Sequence, residues 1–368
     1  MLPSQSTEVS ESTDGRAEPA GRWIAGLSPQ MPLLEALELV FRQRYDGVLY
    51  YLPLAAERAG ENIEYVHKLR VSCRRLAAVL DVLAEGLPET PRRSLLKLLD
   101  KIRATCGKAR DLDVRRVFLE SQLRMASVED AGVVELLCEK TVWQREWAQR
   151  NVRRRLEKLE VQLHEAGDEL LSALHSVQRD AAAAYETFGK TGCRILAREL
   201  AALWDLSAKD IESTATLHQL RLACKHLRYA FEVFVPVLPE SFREEFYPQL
   251  ERTQQLLGEF HDAAEATRDL NKVRKKWKRA RGTKKWARQG LSGFRWRELR
   301  SGFSTILLAY AQQSDHARTE FLDHWPAFAG RSFREPVADL LAELMDSSVA
   351  TAVTQPGSGE ENEHLLPH

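Results

Sequence analysis

The sequence of 368 residues lacks the features that mark membrane, secreted and disulfide-rich proteins. It has no run of 18 apolar residues, and its acidic N-terminus has no apolar stretch typical of a signal peptide. Its five cysteines are an odd number and form no Cys-x-x-Cys pair, which argues against a disulfide framework and against a zinc site. We therefore expect a cytoplasmic protein in a reducing compartment, without a membrane partner.

Motifs for catalysis are also missing. We find no Walker loop, no Gly-rich dinucleotide loop, no Ser or Cys nucleophile motif, and no Glu-x-Glu-x-Lys alternation typical of triphosphate tunnel enzymes. His261-Asp262 could begin a metal site, but His67 and His218 lie in Arg-rich stretches that repel a cation. The sequence therefore predicts a binding protein rather than an enzyme, with no catalytic residue, cofactor or metal.

Extended alternation of Val, Ile and Thr is absent, and almost the whole chain has helical periodicity, so we predict an all-α fold. The chain is long enough, at 44% hydrophobic residues, to build one or two substantial cores. Composition predicts a disordered segment at 1–21 and a disordered tail at 347–368. Between them we expect a main helical domain at 22–300 and an acidic helical extension at 301–346.

The chain contains one basic motif twice. Residues 67–76 read HKLRVSCRRL and residues 218–228 read HQLRLACKHLR, at an offset of 151 residues. The same offset, without a gap, pairs Arg70 with Arg221, Cys73 with Cys224, Pro88 with Pro239, Gly107 with Gly258 and Asp111 with Asp262. This predicts two tandem helical bundles, repeat one at about 30–180 and repeat two at about 181–300, related by a pseudo-twofold axis.

On a helix, the charged residues of each motif form a stripe opposite an apolar face. At about 100° per residue, His67, Arg70 and Arg74 fall within roughly 60° of one another. His218, Arg221 and Lys225 form the equivalent stripe, with Arg228 at its edge. A lone basic stripe is usually a solvated face, but like charges at this spacing repel, and a doubled stripe favours a bound anion.

A second pair of segments follows each stripe: LLDKIRATCGKARDLD at 98–113 and LERTQQLLGEFHDAAE at 250–265. The glycine inside each pattern, Gly107 and Gly258, predicts close approach of two helices. Arg110 and His261 either continue the basic surface or hold a helix end in an ion pair or cap. Arg103 adds a cation to the first copy only, because Gln254 occupies its place in the second.

The zero net charge hides a strong segregation. Residues 271–300 contain 13 Lys and Arg against one acidic residue, whereas residues 301–368 contain 10 acidic and three basic residues. This asymmetry indicates polyanion binding and leaves nucleic acid as an alternative ligand of 271–300. Trp277 has the spacing of a core residue, and Gly282 predicts a helix break. A further basic cluster at 150–158 alternates with Glu and is typical of a solvated face.

Together, His67-x-x-Arg70-x-x-x-Arg74-Arg75 and Gly107-x-x-Arg110-Asp111-x-Asp113 resemble the CHAD family, the conserved histidine α-helical domain. The second copy is similar to the second half of that family, and the resemblance covers roughly residues 30–300. It implies two helical bundles with a basic groove between them that binds inorganic polyphosphate, here without a triphosphate tunnel domain. The sequence departs from the family pattern at Ala77, His226, Gln254, Glu259 and Ala264.

We therefore predict non-enzymatic binding of inorganic polyphosphate, in the cytoplasm or at polyphosphate granules. The predicted binding residues are His67, Arg70, Arg74, Arg75, Arg103, Arg110, His218, Arg221, Lys225, Arg228 and His261. On this prediction, Arg70→Glu combined with Arg221→Glu abolishes binding without unfolding the protein. The alternatives are a nucleic-acid-binding protein that uses 271–300, and an interaction scaffold with protein partners at polyphosphate granules.

Overall fold

The computed structural model describes residues 19, 21–180, 186–207, 209–235 and 238–353. All regular elements in these ranges are helical, which confirms the all-α prediction, and an isolated antiparallel bridge joins Pro32 to Thr187. No helix in the described ranges combines the length and apolarity needed to cross a membrane. The last helix continues to Val353, past the predicted boundary at 346, while most of both predicted disordered segments lies outside the described residues.

The chain order is given by ten α-helices in the described residues. They are α1 (Leu33–Glu57), α2 (Glu64–Val82), α3 (Glu89–Met125), α4 (Val128–Asp180), α5 (Phe188–Ser207), α6 (Thr214–Phe234), α7 (Tyr247–Ala280), α8 (Lys284–Arg288), α9 (Trp296–Ala329) and α10 (Arg331–Val353). A short 3-10 turn, Ala84–Gly86, precedes α3, and a π-helical turn, Phe242–Phe246, leads into α7.

The helices form where the apolar spacing predicted them. On α2 the positions Leu69, Cys73 and Leu76 are fully buried, and the charged positions between them remain partly accessible. The chain turns after α7 at Gly282, whose φ of 71° suits glycine, and this confirms the predicted break. Trp277 is only 2% exposed and packs edge-on against Phe303, which confirms its core position.

Two apolar cores organise the molecule. The larger one takes residues from both copies, including Leu80 of α2, Leu170 of α4 and Phe231 of α6. The smaller core lies where the end of α3 and the start of α4 meet the end of α7 and the start of α9. The acidic region therefore does not stand apart in the structure, because α9 packs along α7 and α10 packs on α5.

The 151-residue offset is also visible in helix position and burial. α2 and α6 begin and end within a few residues of equivalent positions, and they pack against each other. The equivalent residues Leu69 and Leu220 are both fully buried, as are Cys73 and Cys224. The pseudo-twofold relation of two bundles, the groove between them and the domain boundaries stay predictions.

Candidate polyanion-binding site

The packing of α2 against α6 brings the two basic stripes together. Lys225 of α6 lies within electrostatic reach of Arg74 and Arg103 from the first copy, and of Arg221 and Arg228 from the second. The rings of His218 and His261 are 5.7 Å apart between centroids, next to Arg221. Residues separated by about 150 positions in sequence thus form one cationic cluster.

Three members of this cluster are unpaired. Among the described residues, Arg74, Arg221 and Lys225 form no ion pair with a carboxylate. The Nε of Arg74 is buried and has no hydrogen-bond partner in the described part of the chain. Half-buried cations without counter-charges are costly, because burial removes water that would otherwise screen their repulsion. A bound anion would relieve this repulsion.

The pKa values of the cluster record its crowding. Burial, together with four neighbouring Arg side chains, lowers the pKa of Lys225 to about 8. Burial and the nearby Arg110, Arg74 and Arg70 lower the pKa of His67 to about 4. His67 is therefore neutral at pH 7 in the free protein, and it would gain a proton only if an anion came close.

Two predicted site residues instead have a buried partner. Glu232, 1% exposed on α6, accepts a hydrogen bond from Arg75 Nε at 2.8 Å, and Arg228 lies 3.8 Å from the same carboxylate. The hydroxyl of Tyr247 donates to Glu232 at 3.3 Å. Arg75 and Arg228 therefore connect the two copies internally, and their guanidinium groups are less available to a ligand than those of Arg74 and Arg221.

The remaining cations of the first copy also have partners. Arg70 Nη1 donates to the carbonyl of Arg103 at 2.5 Å, Arg103 pairs with Asp100 at 2.9 Å, and Arg110 pairs with Glu64 at 3.4 Å. Of the two interpretations open for Arg110, the ion pair is thus the one observed. For His261 the equivalent contact is longer, 3.9 Å to Glu265.

Two hollows border α2 on different sides. One, of about 310 Å³, is lined by Arg74, Arg103, Lys225 and also Arg198 of α5. The other, of about 550 Å³, is lined by His67, Arg75, Lys68 and Arg44. Sequence reasoning missed Arg44 and Arg198, because neither lies in the repeated motif.

The prediction of close helix approach at the two glycines is wrong. A Cβ added at Gly258 would meet nothing within 4 Å, so no helix lies against it. A Cβ at Gly107 would meet only the Arg70 guanidinium, at 3.5 Å. The glycines thus leave space on the site side of α3 and α7, which Arg70 partly occupies in the first copy and no side chain occupies in the second.

His261, Asp262 and Glu265 each place a potential metal ligand within 4.8 Å of the others. Arg221 is the nearest strong cation to this group, and it counteracts the rise that burial causes in the pKa of Asp262. A fixed guanidinium in this position opposes a metal ion, so we assign these acidic atoms to balancing Arg221.

A family model for the CHAD domain matches residues 40–271, more than half of the sequence. The chain belongs to the CHAD family. Among solved structures, the CHAD domain from the plant Ricinus communis is similar at 20% identity, with a TM-score of 0.59 over 78% of this chain and 96% of that one. PptA from Streptomyces chartreusis is similar at 17% identity, with a TM-score of 0.55 over 80% and 99%. A search of curated proteins found no significant match.

The CHAD match ends at residue 271, where the basic segment begins. Most cations of this segment lie on the end of α7, on α8 and on the start of α9, beside the smaller core. From His261 to Lys276 the distance along α7 is roughly 22 Å at 1.5 Å per residue. The segment is therefore a second basic surface outside the CHAD match. The cluster at 150–158 is exposed on α4, where Arg153 pairs with Glu157, as expected for a solvated face.

Proposed function

We propose that this CHAD protein binds inorganic polyphosphate without acting on it, through the cationic cluster between α2, α3, α6 and α7. The observation that carries the proposal is the group of three unpaired cations, Arg74, Arg221 and Lys225, held close together by both copies. Membership of the CHAD family supports the same ligand class.

Phosphate fits this cluster better than a carboxylate ligand does. Two of the three unpaired cations are Arg, whose planar guanidinium group donates two parallel hydrogen bonds to phosphate oxygens. Hollows on both sides of α2 place further cations beyond the unpaired three, so a linear polymer has more than one row of donors to follow. Binding by replacement of counterions predicts an affinity that falls steeply with salt.

Charge reversal at two unpaired cations tests the proposal. Arg74→Glu combined with Arg221→Glu should abolish retention on a polyphosphate resin at moderate salt, because both substitutions place carboxylates against the polymer. These positions are better suited than Arg70, whose guanidinium binds the Arg103 carbonyl and whose loss would disturb α3. The unfolding midpoint should change little, since neither side chain has an ion pair to lose among the described residues.

A matched control is Arg153→Glu combined with Arg154→Glu on the exposed face of α4, which makes the same change in net charge. Normal binding by this control and loss by the site variant would support a localised site. Equal losses would reduce the effect to net charge and contradict the proposal, as would retention of the site variant. In the same assay, polyphosphate should displace the protein from RNA far better than RNA displaces it from polyphosphate. Cytoplasmic location and partners at polyphosphate granules belong to this proposal.

A further inference from the structure

The smaller core contains a hollow of about 600 Å³ that is separate from the polyphosphate site. It opens where α3 and α4 face α7 and the segment between α8 and α9. Its floor is apolar and aromatic: Leu270 and Tyr310 are 6% exposed and Trp277 is 2% exposed. A hollow of this volume is large enough for a small organic ligand.

Positive charge surrounds this apolar floor. Four cations, Arg115, Lys140, Lys276 and Arg288, line the hollow, with Glu139 as the acidic residue among the lining side chains. Arg115 is engaged by Asp269 at 3.4 Å, and Lys140 lies 5.4 Å above the Trp277 ring and donates to the carbonyl of Gln289. Within the described residues, Lys276 and Arg288 have no ion pair, so both can turn to an anionic ligand.

The rim supplies groups that recognise a planar ring. Trp143 lines the hollow and is 65% exposed, although an indole is among the largest apolar surfaces that a side chain can present to water. The side-chain amides of Gln144 and Gln289 also line it and form no hydrogen bond in the part of the chain that the structure describes. Free amides of this type can pair with the edge of a base.

We propose that this hollow binds a free nucleotide with two or more phosphates, its base against Trp143 and its phosphates at Lys276 and Arg288. A fatty acid fits less well, because its single carboxylate would leave most of the cations and both amides unsatisfied. The proposal uses none of the residues of the polyphosphate site and stands or falls independently of it.

Equilibrium dialysis with ATP tests the assignment. The protein should carry Arg74→Glu with Arg221→Glu, so that phosphate binding at the other site does not contribute. Trp143→Ala should weaken ATP binding at least about fivefold, the usual loss when a stacked base loses its aromatic partner. Lys276→Glu with Arg288→Glu should weaken it further. Trp147→Ala is the matched control, since Trp147 lies one turn along α4, is 59% exposed and is outside the hollow.

Several outcomes would overturn the proposal. Absence of ATP binding would do so directly, and equal losses in the Trp143 and Trp147 variants would remove the role of the rim. Competition by tripolyphosphate as strong as by ATP would reduce the site to a basic patch. Displacement of ATP by laurate at lower concentration would assign the hollow to an acyl chain. Stronger displacement by a 5′-triphosphorylated oligonucleotide would assign it to the end of a nucleic acid. Because both tryptophans are exposed, neither alanine variant should unfold, and urea unfolding verifies this.

Discussion

The two copies of the basic motif differ in how their cations are satisfied. In the first copy, Arg70, Arg103 and Arg110 each have a partner within the protein, and Arg74 alone among its stripe arginines is unpaired in the described residues. In the second copy, Arg221 and Lys225 are both unpaired there, and Gln254 replaces the cation at position 103. Similar sequences thus have different roles: the first copy supplies a charged but largely self-compensated wall, and the second supplies the free donors.

The largest expected effect concerns the carboxylate that joins the copies. Glu232→Ala would leave Arg75 and Arg228 without their shared buried partner, and we expect a loss of about 3–5 kcal/mol in the free energy of unfolding, measured in urea. Glu251→Ala is the control, because Glu251 is 38% exposed and its pairing with Arg22 should be worth no more than about 1 kcal/mol. Similar losses in the two variants would refute a structural role specific to Glu232.

The next effect compares the copies in binding. Replacing Arg221 and Lys225 by Ala should weaken polyphosphate binding about tenfold or more, because two donors with no protein partner in the described residues are lost. Replacing Arg103 and Arg110 by Ala removes the same charge but should weaken binding only a few-fold, since both already pair with carboxylates. Titration at fixed salt measures both, and the reverse order would overturn the division of roles.

A smaller effect should appear with pH. The pKa of Lys225 is about 8 in the free protein, and a bound polyanion raises it. Below pH 8 the side chain is charged in both states and affinity is full, whereas above pH 8 binding must take up a proton. Affinity should therefore fall by up to about tenfold between pH 7 and pH 9. Lys225→Arg should remove this dependence, and an unchanged slope in that variant would assign it to another group.

The smallest effect compares the glycines. Gly258→Ala should stabilise the protein by up to about 1 kcal/mol, because alanine favours the helix and its Cβ meets nothing. Gly107→Ala should give a smaller gain, because its Cβ contacts the Arg70 guanidinium. Thermal unfolding of the two variants measures the difference. Destabilisation by Gly258→Ala would mean that a neighbour approaches this face after all.

Helical periodicity was sufficient to predict the fold class, the burial of Leu69 and Leu220, the core position of Trp277 and the break at Gly282. The partners of the cations could not be predicted, because Arg75 and Glu232 are 157 residues apart and meet only through the packing of α2 on α6. One signal was present: Glu232 interrupts the apolar run Tyr229 to Val235, where an acid requires a buried partner. The glycines were misjudged because the pattern shows where space exists but not what fills it.

The shared core also determines how the chain can be divided. The N–H groups of Phe188 and Gly189 donate to the carbonyls of Met31 and Pro29 at 2.9 and 2.8 Å, so each copy begins by binding the other. If translation were interrupted between residues 180 and 186, each fragment would expose half of one core and half of one ion-pair network. The halves should behave as a split protein, insoluble when expressed separately and recovered when produced together. A repeat that reads as two units in sequence would then be a single unit of folding.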